Sequence, residues 1–293
     1  MRKISRDCTF LVVLASFLGA IPASADVNLA FGVYASDKPT AMVRQFRPVL
    51  NVIEERMAKR LGEPVRIRLQ VAKTYEKGIA DLVERKVDFA RFGPASYIEA
   101  KEADPDVSIV AVESKDGTKV FNGVICVTKG SPVQTIQDLS GKSFAFGDQR
   151  STIGRYLSQL YLLRHGVHAA DLKHFEYLGR HDKVGYAVGS GQFDAGALKE
   201  STYVKLVDAG VPLRVIGRFP NVTKPWIARG GLDERYRVAL QEVLLQIRDE
   251  EALKALTKDG FLEGDDRDYA FTREAILSNH LFFGPAQAAR NTN

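Results

Sequence analysis

Three short segments hold the residue types that can bind a ligand. The first is Phe146-Gly147-Asp148-Gln149-Arg150-Ser151-Thr152-Ile153-Gly154, which reads as a strand running into a helix. Ser151 or Thr152 can cap that helix by accepting from a first-turn amide. The first turn of a helix also leaves amide N–H groups without intrahelical partners, and with two hydroxyls beside them they form an anion site. Plain capping and anion binding both fit these residues. The second segment is Gly93-Pro94-Ala95-Ser96-Tyr97, again where a strand yields to a helix. Tyr97 either donates its hydroxyl to an anion or belongs to the core. The third is Gly179-Arg180-His181-Asp182. His181 can donate to an oxyanion, and Asp182 can cap the helix that follows.

Signatures of catalysis are missing from the chain. It has no G-x-S-x-G elbow, no G-x-x-x-x-G-K-[ST] loop and no H-E-x-x-H pair. Gly189-Ser190-Gly191 lacks the context of a dinucleotide fingerprint. His165, His168, His174 and His181 fall close together, but zinc needs convergent ligands. Their spacing crosses a predicted helix end and a strand, so a solvated surface is expected. Neither a metal nor a cofactor is expected, and the chain does not read as an enzyme.

The elements that must position these segments alternate. Val27 to Val33, Val65 to Val71, Val87 to Phe92 and Ser108 to Val112 read as strands. Between them, Val49, Leu50, Ile53, Met57 and Leu61 recur at helical spacing. Pro48 fits the first turn of that helix, and Gly62 closes it. Tyr75 to Arg85 and Ala95 to Ala103 are further helices. A second series has strands at Val120 to Thr128, Ser143 to Phe146, Phe175 to Leu178, Asp194 to Leu198 and Leu213 to Gly217. Its helices are Ile153 to His165 and Asp182 to Ser190. A long helix follows at Leu232 to Ile247, and Glu251 to Lys258 is helical. Strands alternating with helices predict α/β layers with parallel sheets, here in two series without a disordered linker.

The chain has 293 residues, 45% hydrophobic and 26% charged, the balance of a globular protein. Its formal charge is +5, from 41 basic and 36 acidic residues. The basic residues are scattered, so nucleic acid is not an expected partner. Residues 1–25 have a basic start, an apolar run from Phe10 to Leu18, and Ala23-Ser24-Ala25. This is the pattern of a secretory signal peptide cleaved after Ala25, with an uncleaved anchor as the alternative. Cleavage removes Arg2, Lys3, Arg6 and Asp7, which leaves +3, and it removes Cys8. Cys126 is then the one remaining cysteine, and no disulfide framework is expected.

The three strand ends, in this order, resemble the PhnD-like family, the periplasmic phosphonate-, phosphite- and phosphate-binding proteins of ABC transporters. The resemblance runs from Phe31-Gly32-Val33-Tyr34 to about Tyr269. It is carried by Val87-Asp88-Phe89-Ala90-Arg91-Phe92-Gly93-Pro94-Ala95-Ser96-Tyr97 and by Asp138-Leu139-Ser140-Gly141-Lys142 through Asp148. Ser151-Thr152-Ile153-Gly154, Gly179-Arg180-His181-Asp182 and Phe193-Asp194-Ala195-Gly196-Ala197 complete it. It implies a type II periplasmic-binding-protein fold, two α/β lobes joined by two crossing strands with a ligand cleft between. Residues 26–122 are expected in lobe one and 123–225 in lobe two. Residues 226–293 are expected to return to lobe one and end in C-terminal helices. The crossings are expected near Asn122 to Thr128 and near Trp226 to Arg229.

By the same likeness, Tyr34 and Tyr97 line lobe one, Ser151, Thr152 and the Gly154 region supply an anion nest, and His181 reaches in from lobe two. Three departures stand out. Ile153 occupies a place where the family usually has a third hydroxyl. Lys199, then Glu200, follows the Asp-Ala-Gly-Ala strand, where an acid that meets a ligand amine is common, so an inorganic oxyanion is favoured over an aminophosphonate. Arg91 replaces an apolar or aromatic residue, and either adds charge to the cleft floor or pairs with a local acid such as Asp88. Cys126, in the predicted crossing strand, is either a small buried residue or a soft ligand for arsenite, as in a sensory branch of the family. The expected function is capture of a small oxyanion in the periplasm and delivery to a membrane ABC permease, by a monomer. The alternative is a sensory protein, for arsenite through Cys126, that signals to the periplasmic domain of a histidine kinase.

Overall fold

The computed structural model describes residues 26–35 and 38–284. The signal segment at 1–25 lies outside the described residues. The first sheet draws on β1 (Val27–Tyr34), β2 (Val65–Ala72), β3 (Phe89–Arg91) and β4 (Ser108–Ser114). Between these strands run α1 (Pro39–Leu61), α2 (Tyr75–Val83) and α3 (Pro94–Ala103). The chain then builds a second sheet from β5 (Val120–Thr128), β6 (Ser143–Phe146), β7 (His174–Tyr177), β8 (Ala195–Lys199) and β9 (Leu213–Val222). Its helices are α4 (Ser158–Arg164), α5 (His181–Gly189) and α6 (Glu200–Asp208). A wider helical turn, Thr152–Leu157, leads into α4. The chain returns to the first sheet with β10 (Pro225–Ala228), α7 (Glu234–Gln246), α8 (Glu250–Leu256) and β11 (Gly260–Leu262). It ends in α9 (Ala270–Leu277) and α10 (His280–Phe283).

Strand order is β11-β4-β10-β3-β1-β2 in the first sheet and β7-β6-β8-β5-β9 in the second. β1 pairs parallel with β2 and β3, and β6 pairs parallel with β7 and β8. Helices cover both faces of each sheet, as buried parallel strands require. In α1, Phe46, Val49, Leu50, Ile53 and Met57 form one apolar stripe, and it packs with α7 and α8 against Phe31, Phe89 and Trp226. α2 and α3 cover the opposite face through Ile79, Leu82, Tyr97 and Ile98. In the second sheet, α5 and α6 cover one face through Val184, Val188 and Leu206. The other face packs against Ile153, Leu157 and Leu162.

Three details differ from the expectations drawn from sequence. Pro48 lies inside α1, and Pro39 starts the helix. Neither crossing coincides with a whole strand. β5 belongs to the second sheet from Val120 onward and β10 to the first, so the chain crosses at 115–119 and 223–224. The Thr223 amide donates to the Lys119 carbonyl at 2.8 Å, so the two crossings pair with each other. The chain then crosses a third time, because Ala275 of α9 and Phe282 of α10 join the core of the second sheet.

Under the return strand lies a buried ionic group. Glu113, fully buried, accepts from Arg91 Nε at 2.7 Å and Nη2 at 2.9 Å, and Trp226 Nε1 donates to it at 3.3 Å. Lys258 Nζ stands 3.7 Å away. Burial raises the Glu113 pKa, but attraction to Arg91 and Lys258 outweighs it and holds the carboxyl at about 2. Glu113→Gln should cost about 3–5 kcal/mol in urea unfolding, because two buried cations lose their counter-charge. The folded-state pKa is depressed, so this stabilisation is complete above about pH 4.5 and is lost as pH falls towards 2. Over that range the stability of the variant should fall less steeply than that of the parent protein.

Candidate oxyanion site between the lobes

The carboxyl ends of the parallel strands of both sheets face each other, the usual place for a ligand in open α/β sheets. Between them lies a pocket of about 20 Å³, lined among others by Tyr34, Tyr75, Gly93, Ser151, Thr152, His181, Lys199, Asn221 and Lys224. A water needs roughly 10–15 Å³ on this measure, so the space as it stands holds one or two waters and suits only a small ligand. A groove of about 730 Å³ opens at the rim, lined by Glu76, Glu99, Glu102 and Asp148 as well as Arg150 and Arg155. The four carboxyls at this groove repel an anion when ionised. The interlobe pocket, lined by Lys199 and Lys224 and by no carboxylate, is the better anion site despite its smaller volume.

Two helix starts meet across it. Ser151 caps its turn, its Oγ accepting from the Gly154 amide at 2.9 Å. Thr152 Oγ1 accepts from the Ala95 amide, in the first turn of α3, at 2.8 Å. That bond joins the lobes. Both hydroxyl oxygens are occupied as acceptors, so each is left with a proton to donate. Tyr34 is fixed on the opposite wall. Its hydroxyl donates to Ser96 Oγ at 3.0 Å and accepts from the Gly93 amide at 2.6 Å. Burial pushes its pKa up to about 12, so it stays neutral. Tyr75 stacks on Tyr34 with ring centroids 3.8 Å apart. His181 heads α5 and is buried. At the rim, Arg150 Nε donates to Glu99 at 3.0 Å and Nη1 lies 3.3 Å from Glu76. This clasp is partly exposed and contributes about 0–1 kcal/mol to closure.

Tyr34, Ser151, Thr152 and His181 are thus brought together, whereas four other expected residues are placed elsewhere. Tyr97 donates to Asp266 at 2.9 Å and packs on Tyr269, so its hydroxyl is turned away from the cavity. The Gly154 amide is taken by Ser151. Its role is close approach, since a Cβ there would lie 2.8 Å from the Gly147 Cα. Arg91 pairs with Glu113, neither charging the cleft nor meeting Asp88, which binds Arg229 at 3.0 Å. Cys126 is fully buried among Val124, Val184 and Leu198, and burial pushes its thiol pKa up to about 12. Alternation along β5 turns it into the core rather than towards the cavity.

The motifs in the sequence do not single out Tyr75, Asn221 or Lys224, and they mark Lys199 as a departure only. Asn221 carries a readable signal. It follows Phe219 by two residues, so it is a polar side chain on the buried face of an alternating strand. Glu200, the acid next to Lys199, is held by Arg218 at 2.7 Å and Asn122 at 3.0 Å.

Two α/β lobes, crossing segments that pair with each other, and a pocket between the lobes are the features of the type II periplasmic-binding-protein fold. A family model described as ABC transporter, phosphonate, periplasmic substrate-binding protein matches residues 31–269, and the chain belongs to that family. It is 26% identical over 202 residues to the probable ABC transporter phosphite binding protein PhnD1 of Prochlorococcus marinus (strain MIT 9301), covering 64% of this chain and 66% of that protein. It is 28% identical over 220 residues to the phosphonates-binding periplasmic protein of Escherichia coli (strain K12), covering 70% and 62%. The match thus spans somewhat less than two thirds of each relative. Among solved structures, PhnD1 of Prochlorococcus marinus in complex with methylphosphonate superposes with a TM-score of 0.75 at 22% identity, covering 87% of this chain and 98% of that one. A binding protein component of an ABC phosphonate transporter from Pseudomonas aeruginosa gives 0.73 at 19% identity, covering 91% and 93%.

The burial of Cys126 makes a testable statement. A thiol-reactive dye should label Cys126 of the mature protein only on unfolding. Cys126→Ser should cost about 1–3 kcal/mol in urea unfolding, because it buries a hydroxyl in an apolar core. Fast labelling of the native protein would place the thiol at an open surface instead.

Proposed function

We propose that the protein is a periplasmic solute-binding protein that captures a small phosphorus oxyanion between its lobes and hands it to an ABC permease. One observation carries this reading: a small pocket of about 20 Å³ between the lobes, whose walls include hydroxyl, imidazole and ammonium groups from both. Ser151 and Thr152 direct hydroxyl protons at the ligand, His181 donates from α5, and Lys199 and Lys224 supply positive charge. The printed names of the relatives, phosphite-binding and phosphonates-binding, support the same ligand class. The small volume favours phosphite, phosphate or methylphosphonate over a bulky phosphonate. An ammonium at Lys199, with Glu200 held aside, disfavours a ligand that carries an amine.

The mechanism is binding alone. Ser151 already serves as a cap, and the Cys126 thiol is buried with a raised pKa, so neither is an activated nucleophile. A ligand that touches donors on both lobes favours the closed state by its differential affinity. The direct interlobe bonds are individually weak, about 1 kcal/mol for a hydrogen bond, so the ligand supplies much of what holds the lobes together. The arsenite-sensing alternative depends on a cysteine at the ligand, and Cys126 lies in the core.

Mature protein should be stabilised against heat by its ligand as RT ln(1 + [L]/Kd), about 2.7 kcal/mol at a hundredfold excess over Kd. The panel is phosphite, phosphate, methylphosphonate, 2-aminoethylphosphonate, sulfate and arsenite. The small phosphorus oxyanions should give the largest shifts. Ser151→Ala with Thr152→Ala should weaken them at least a hundredfold by calorimetry. If the double variant binds as well as the parent, the two hydroxyls are caps only. Arsenite as the best ligand would overturn the reading altogether.

A further inference from the structure

Asn221 lines the cavity at the end of β9 and is only 3% exposed. Neither its Nδ2 nor its Oδ1 has a hydrogen-bond partner among the described residues. A buried amide left bare at both ends is unusual, because buried polar groups in folded proteins are nearly always paired. The groups around it differ from it in kind. Ser151 and Thr152 already accept from the Gly154 and Ala95 amides, so each offers a proton. Lys199 and Lys224 can only donate. Asn221 offers a donor and an acceptor side by side. A fully deprotonated oxyanion presents acceptors alone; it can satisfy Nδ2–H but leaves Oδ1 bare. A tetrahedral oxyanion that keeps one hydroxyl satisfies both.

We infer that Asn221 reads the proton on the ligand. Its Nδ2–H donates to one ligand oxygen and its Oδ1 accepts from a P–OH, so the site selects a hydroxyl-bearing phosphorus oxyanion over an acceptor-only tetrahedral anion such as sulfate. The inference rests on the oxyanion reading above and adds to it a residue and a rule of selection. Charge alone does not produce this rule, because the lysines attract either kind of anion. The selection comes from the penalty for leaving the buried Oδ1 of Asn221 bare, which a wrong ligand cannot remove.

The test is calorimetry of the mature protein at about pH 6, where inorganic phosphate, phosphite and methylphosphonate retain a hydroxyl to a large extent and sulfate does not. The tightest of the three should bind the parent protein at least tenfold better than sulfate. Asn221→Ala removes both the donor and the acceptor, and should collapse that ratio at least fivefold. Asn221→Asp keeps the acceptor in the same shape, and should preserve or widen the ratio while lowering every affinity. Urea unfolding of both variants checks that they fold. If the parent binds phosphorus oxyanions but Asn221→Ala leaves the ratio unchanged, the inference falls and the oxyanion reading stands. It falls likewise, with the oxyanion reading intact, if the parent does not discriminate against sulfate. If the parent binds none of the three, the oxyanion reading itself falls.

Discussion

The Ala95 amide donating to the Thr152 hydroxyl, 2.8 Å across the cleft, brings two helix N-termini face to face. Each N-terminus carries partial positive charge from its unpaired amides, and Lys199 and Lys224 stand beside them. An anion placed between them would meet donors from both lobes, the interaction on which the proposed function depends. That arrangement makes the closed state responsive to ligand. The direct interlobe hydrogen bond is individually weak, so it does not lock the lobes by itself.

Such a contact is useful only if the two helix starts are held in register. The two crossing segments pair through the Thr223 amide and the Lys119 carbonyl, which couples them as one ribbon rather than two loose tethers. Below the ribbon, Glu113 ties Arg91 of β3 and Trp226 of β10 to one point. β3 leads directly into Gly93 and α3, so the buried ion pair sets the height of the Ala95 amide. On the other lobe, the close approach of Gly147 and Gly154 fixes the strand end against the turn that carries Thr152. Charge pairing on one side and the absence of a side chain on the other serve the same end.

Much of this is legible in the sequence because periodicity reports burial. The alternation in β2 and the apolar stripe of α1 follow from which face each element hides, and the strand-to-helix punctuation at 93, 147 and 179 marks the ligand side. What is not legible depends on partners distant in sequence. Arg91 looks like a cleft cation because Glu113, which neutralises it, belongs to the next strand but one in the sheet. Tyr97 looks like a ligand donor because Asp266, its acceptor, lies 169 residues on. Cys126 could be core or site until the direction of its side chain in β5 is known. Asn221 escapes notice for the opposite reason. Its meaning lies in partners it lacks, and a sequence shows no such absence.

Selectivity then follows from the donor and acceptor balance of the whole cavity rather than from any single charge. Lysines and helix starts draw in any small anion, so they determine affinity and capture but discriminate poorly. A small pocket disfavours bulky ligands, and Ile153 adds an apolar surface to its wall. The remaining polar groups are satisfied only by a ligand of matching proton content. A neutral amide is well suited to that task. A carboxylate there would repel every anion, and a hydroxyl, which can turn its single proton either way, would accommodate both kinds. The buried Asn221 can do neither, so it converts a generally attractive pocket into a discriminating one.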